Sequence, residues 1–223
     1  MTQNSRETVV IDIETENTGA DIMADNRRII SVQIGDSTKQ ELYYADARIP
    51  SLSTSQVPQR VRTLIAEGSI IAGYYLKGFD LPLLKQFLGV EIPEVNILEI
   101  TEMDGIKKLQ QRTGRRSYKV EDVCKEYGIS ADHKRLMDER AEPLKKTPEV
   151  LALAETAARR LVAEKGWSYD FSLNYKLDKI AGGRAIYDSY LEFVQAGGAK
   201  ETLFHQYAVG DVICEYQLMQ RLL

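Results

Sequence analysis

Cysteine is nearly absent from this 223-residue chain: Cys124 and Cys214 are the only two, each inside a segment that reads as helix. Two thiols so placed form neither a disulfide framework nor a zinc site, and they point to a reducing, cytoplasmic setting. Long hydrophobic runs are missing as well. None nears the roughly 18 residues that cross a bilayer, and the polar start MTQNSRE does not read as a signal peptide, so no membrane partner is expected. Positive charge is not in excess either. A net charge of −4 argues against a protein that holds nucleic acid chiefly by bulk charge. It leaves open an enzyme whose acidic site is neutralised by metal and whose basic residues act locally. The rest of the composition, 43% hydrophobic and 28% charged, suits a folded soluble protein of one domain, or one domain carrying an elaboration.

Residues 7–13 read as a first strand, and RRIISVQIG (27–35) and KQELYYAD (39–46) as two more, joined by the turn GDST. Three strands in succession suggest an antiparallel meander. A helix over 56–67 and the buried strand SIIAGY (69–74) follow. FDLPLLKQFLG (79–89) starts as a helix starts, with Asp80 and Pro82 in its first turn and Gly89 past its end. EVNILEI (94–100) reads as a fifth strand. Beyond residue 100 the pattern is helical, over 101–112, 119–127, 148–165, 175–196 with a break at Gly182-Gly183, and 200–222. The charged stretch 131–148, with its two prolines, reads as a surface excursion, and 131–180 as a helical, charged insertion in a single domain. This order describes an α/β domain with a mixed sheet, three antiparallel strands and then β-α-β, flanked by helices and largely helical in its C-terminal half.

Three short elements carry candidate chemistry. The first is TVVIDIETEN, where a β-rich run ends in Asp12-Ile13-Glu14. Alternate strand residues share a face, so both carboxylates project the same way, and two such charges a few ångströms apart call for a cation. The second is IAGYYLKGFDLPLL, which leads from a strand through a glycine-containing turn to Asp80; alone, Asp80 serves equally to complement a helix dipole. The third is ETLFHQYAVGDVICEYQL, where Tyr207 and Asp211, four apart, share one helix face.

Together and in this order, DIET, GFD and YAVGD resemble the three exonuclease motifs of the DnaQ-like 3′–5′ exonucleases, the DEDD superfamily, whose fold is ribonuclease H-like. Tyr207 stands four before Asp211 while His205 stands six before it, which resembles the tyrosine (DEDDy) subclass. IDIET and KGFDLPLL are most similar to the proofreading exonuclease domain of family-B DNA polymerases. The resemblance implies a metal-dependent hydrolase that removes nucleoside 5′-monophosphates from the 3′ end of single-stranded DNA by a two-metal mechanism. Asp12, Glu14, Asp80 and Asp211 would hold two Mg²⁺ or Mn²⁺ ions, and Tyr207 would orient the attacking water. Thr15 and Phe79 would neighbour the terminal nucleotide. The family's second motif usually carries asparagine five residues before its aspartate, where this chain has Tyr75; a tyrosine there can stack on a base instead.

Apart from the family, GIKKLQQRTGRRSYK (105–119) holds six basic residues and no acidic one. With Tyr118 among them, Arg115 and Arg116 read either as a nucleic-acid contact or as a solvated loop. Trp167, the only tryptophan, reads as a core or helix-packing anchor. Two other functions fit the same residues: a 3′–5′ exoribonuclease of the ribonuclease D-like type, and a non-catalytic nucleic-acid-binding module on the same fold. Retention of all four acids at these spacings weighs against the second.

Overall fold

The computed structural model describes residues 7–16, 28–46, 53–115 and 118–223. The chain divides into two compact units: Met1–Glu14, Ile29–Ala131 and Ala208–Leu223 form the first, and Thr15–Arg28 and Asp132–Tyr207 the second.

The first unit is built on a five-stranded mixed sheet of order β3-β2-β1-β4-β5, with β1 over Thr8–Thr15, β2 over Ile29–Gly35, β3 over Gln40–Tyr44, β4 over Ile70–Gly73 and β5 over Ile97–Glu99. β2 and β3 run antiparallel, whereas β1 pairs with β4, and β4 with β5, in parallel. The central strand, β1, is covered on both faces. Val9, Ile11 and Ile13 enter a core with Val57, Val61 and Leu64 of α1 (Val57–Ala66) and Leu84 of α2 (Asp80–Leu88). Val10 points the other way, into a core with Ile106 and Leu109 of α3 (Asp104–Thr113), Val123 of α4 (Val120–Glu126), and Val212 and Leu218 of α8 (Leu203–Leu222). Side-chain alternation then commits Asp12 and Glu14 to the face that α8 covers. That parity is what turns an ordinary strand end into a site.

The second unit is helical over Asp132–Tyr207: α5 (Asp132–Ala141), α6 (Pro148–Lys165) and α7 (Tyr169–Gln195), followed by the start of α8. Two expectations are overturned here. Residues 131–148 are not an excursion but α5 and a 3₁₀ turn over Glu142–Lys146, because Met137 and Ala141, four apart, both face the core. Both prolines sit at helix starts, where a missing N–H costs nothing. Nor does Gly182-Gly183 break its helix: α7 runs unbroken over 27 residues. Each glycine costs roughly 1 kcal/mol in a helix interior, and the helix is held by packing around them: Ile180, Ala181 and Ala185 of α7 share a core with Val150 and Ala154 of α6. At the α6–α7 turn, Gly166 takes φ 67°, a left-handed conformation that stops α6 and lets Ser168 cap α7 by accepting the Phe171 N–H. Among the described residues, no helix is long and apolar enough to cross a membrane, and both cysteines are buried and outside any disulfide.

Candidate metal centre

Asp12, Glu14 and Asp211 meet. One carboxylate oxygen of each lies within 4.8 Å of the other two, with Glu14 and Asp211 buried and Asp12 partly so. Two elements make the cluster: β1 supplies its acids through strand alternation, and α8 supplies Asp211 from the turn that also buries Val212. Oxygens on opposite sides of one Mg²⁺ are about 4 Å apart, so small side-chain adjustments would bring these hard oxygen donors into one coordination sphere.

Asp80, the first residue of α2, lies outside that trio but beside it. Its Oδ1 accepts the N–H of Ile13, the residue between the two β1 acids, at 3.2 Å. Burial, and then the charge of Asp12, push its carboxyl well above the ordinary range. The four acids expected from sequence are thus on one side of one unit, three within ligand distance of each other and the fourth tied to the same strand.

The structure adds two carboxylates that sequence reasoning missed. Glu215, one turn after Asp211, is buried and accepts the Tyr74 N–H at 3.0 Å. Its carboxyl too is raised well above the usual range, by burial first and then by Asp12, Asp211 and Asp80. The signal was present, since a second step of four from Asp211 falls on Glu215. Glu99, at the end of β5, accepts the N–H groups of Tyr75 and Lys77, both at 2.9 Å, and the N–H and hydroxyl of Thr101. Glu215 and Glu99 therefore clamp the turn from β4 to α2 from two elements. Within that turn Tyr75 adopts φ 62°, and among the described residues it alone is a non-glycine with positive φ. Its ring is 43% exposed and meets Tyr74 edge-on at 5.1 Å.

Tyr207 belongs to the second unit. It is buried with Met137, Val150 and Ile180, and its hydroxyl accepts a hydrogen bond at 3.0 Å from Lys134, whose ammonium also lies 4.5 Å from the ring centroid. His133 approaches the same ring at 6.0 Å. Neither Lys134 nor His133 was expected to neighbour it. Thr15 is buried at the end of β1, and Phe79 packs partly buried against the β1 core.

The basic loop departs from the reading of an aromatic set among free cations. Tyr118 is buried, with Arg115 stacked 4.6 Å above its ring and its hydroxyl against Thr113. Arg115 reaches Asp122 at 3.4 Å and Arg112 reaches Glu126 at 2.7 Å, so acids on α4 answer the bases of this segment. Arg116 lies outside the described residues. Trp167, expected as a core or helix-packing anchor, is not in a core: it is 38% exposed on the second unit and packs edge-on against Phe171 and Tyr175 of α7. Its neighbourhood is apolar, but the patch faces solvent.

The sequence matches no protein-family model and no curated protein. Among solved structures, the chain is similar to the family B DNA polymerase of the hyperthermophilic archaeon Pyrobaculum calidifontis, at 16% identity and a TM-score of 0.38. That match covers 91% of this chain and 27% of the polymerase, so the chain spans about a quarter of its length.

Proposed function

We propose that the protein is a metal-dependent 3′–5′ exonuclease that hydrolyses phosphodiester bonds at the 3′ end of single-stranded DNA and releases nucleoside 5′-monophosphates. One observation carries the reading: Asp211, some two hundred residues further along the chain, brings a ligand oxygen within 4.8 Å of those of Asp12 and Glu14 on β1. Their place at the end of the central strand of a mixed sheet supports a ribonuclease H-like fold. The order DIET, GFD, YAVGD supports the DnaQ-like superfamily and its tyrosine subclass.

Asp12, Glu14 and Asp211, with Asp80, would hold two Mg²⁺ or Mn²⁺ ions, which when bound would supply positive charge at the phosphate and acidify a water. The protein's own groups set the rest. Asp80 fixes the backbone between the two β1 acids through the Ile13 N–H. Glu215 and Glu99 hold the β4–α2 turn that presents Tyr75, whose exposed ring can stack on an unpaired base. Tyr207, one turn before Asp211 on α8, is assigned the water-orienting role. Thr15 and Phe79 are assigned to the terminal nucleotide, and Arg115 and Arg116 to its phosphates.

The test uses 5′-labelled single-stranded DNA and RNA oligomers with Mg²⁺, Mn²⁺ or EDTA. Wild type is run beside Asp12→Asn and Asp211→Asn. The expected result is a metal-dependent ladder that shortens DNA from its 3′ end and vanishes in both variants. A ladder on RNA alone would make the protein an exoribonuclease. No ladder on either polymer from a folded protein would leave a nucleic-acid-binding module.

A further inference from the structure

The second unit carries an exposed aromatic cluster that the exonuclease reading does not use. Trp167, Tyr169, Phe171 and Tyr175 gather around the α6–α7 turn and are 38%, 37%, 56% and 38% exposed. Soluble surfaces seldom leave four large aromatics open in one place without a partner. Their arrangement is ordered: Trp167 meets Phe171 at 5.2 Å and Tyr175 at 5.8 Å, both edge-to-face. Cations flank them. The Arg159 guanidinium lies 5.7 Å from the Tyr169 centroid, and the Lys179 ammonium 6.0 Å from that of Tyr175. Between residues 159 and 179 the chain has five basic and three acidic residues, a local excess of positive charge on a chain of net −4. One of those acids, Asp178, is engaged by Lys145 at 2.7 Å.

We infer that this cluster is a binding platform for single-stranded nucleic acid, with unpaired bases stacked on Trp167, Phe171 and Tyr175 and phosphates drawn to Arg159 and Lys179. The charge decides the occupant. Aromatic faces interleaved with cations match a strand of bases and phosphates. A second copy of this chain would set the same positive excess against itself. A duplex keeps its bases stacked inside and offers no ring face to the platform. The inference extends the exonuclease reading by giving the substrate strand a second contact, but it does not require hydrolysis.

Trp167 makes the test direct, because as the sole tryptophan it reports this cluster alone. The full chain in EDTA is titrated with a thymidine oligomer while tryptophan emission is followed. Saturable quenching is expected, reversed by added salt and not produced by a duplex of equal length. Phe171→Ala with Tyr175→Ala should weaken binding by roughly 30-fold or more, at about 5-fold or more for each of the two stacked bases lost. Arg159→Ala with Lys179→Ala should reduce the slope of log affinity against log salt by about 1.4, at about 0.7 per phosphate contact on single strands. Asp12→Asn should quench as wild type does. Absence of quenching, equal quenching by duplex, or emission that changes with protein concentration alone would overturn the proposal, the last by making the patch a self-association surface. Quenching without a cleavage ladder would retain the platform and remove the nuclease; a ladder without quenching would do the reverse.

Discussion

Replacing Asp12 by asparagine should stabilise the metal-free protein, although it removes the centre of its acidic site. The ligand oxygens of Asp12, Glu14 and Asp211 lie within 4.8 Å of one another. At an effective dielectric of about 20, two unit charges at that separation repel by about 3 kcal/mol. Asp12 takes part in two such pairs, and its charge is also among the causes that raise the Asp80 and Glu215 carboxyls. Asparagine keeps the side-chain shape, so a net gain of about 1–3 kcal/mol is expected. For a chain of this size that is a rise in Tm of about 3–10 °C in EDTA. With Mn²⁺ the order should reverse: at a thousand times Kd, wild type gains about 4.1 kcal/mol, and the variant much less. The pH dependence follows from the same groups. Asp80 and Glu215 titrate higher in the folded protein than in the unfolded chain, so above pH about 4 the native state holds the extra protons. Metal-free stability therefore falls as pH rises from there towards the raised values, by up to about 1.4 kcal/mol per pH unit for each group, and more gently in the variant. Calorimetry across pH, with and without metal, is the assay. A variant less stable than wild type in EDTA, or one with the same response to Mn²⁺, would refute the reasoning.

Further expectations test the scaffold. Glu99→Ala leaves the Tyr75, Lys77 and Thr101 donors without their acceptor and should cost about 2–4 kcal/mol in urea unfolding; a loss under about 0.5 kcal/mol would show that water replaces the carboxylate. Tyr75→Asn should stabilise the protein by about 1 kcal/mol, since asparagine tolerates positive φ better than tyrosine; a Tm below wild type would mean that the ring contributes packing that outweighs the strain. Gly105→Ala places a methyl 2.3 Å from Leu222 Cδ2 and 3.0 Å from the Tyr127 hydroxyl. It should destabilise by about 1 kcal/mol, measured by denaturant midpoint, and an unchanged midpoint would show that the end of α8 yields.

Much of the site is legible in the chain because two periodicities expose it. Strand alternation alone puts Asp12 and Glu14 on one face, and the Pro82 and Gly89 signals set Asp80 at a helix start. Glu215 escaped because the helical step was taken from Tyr207 to Asp211 and not carried one turn further. Glu99 escaped because its partners are backbone amides, which leave no mark on sequence. For the basic run at 105–119, the acids that pair with Arg112 and Arg115 lie on the next helix, beyond the run that reads as uniformly positive. In 131–148, charge density hid the two core positions, Met137 and Ala141, that make it a helix. Trp167 was read as a core or helix-packing anchor on residue type alone, and residue type says nothing about whether a further element arrives to cover it.

The clamp on the β4–α2 turn bears on motion. The amides of Tyr74, Tyr75 and Lys77 belong to no helix or strand, yet each donates to a buried carboxylate. They should resist hydrogen exchange as sheet amides do, in a segment that would otherwise open readily. Fixing a free backbone costs roughly 1–2 kcal/mol per residue in entropy, and here folding has already imposed that order. Whatever meets the exposed ring of Tyr75 need only still its side-chain rotation. A flexible loop presenting the same tyrosine would bind more weakly with an identical set of contacts.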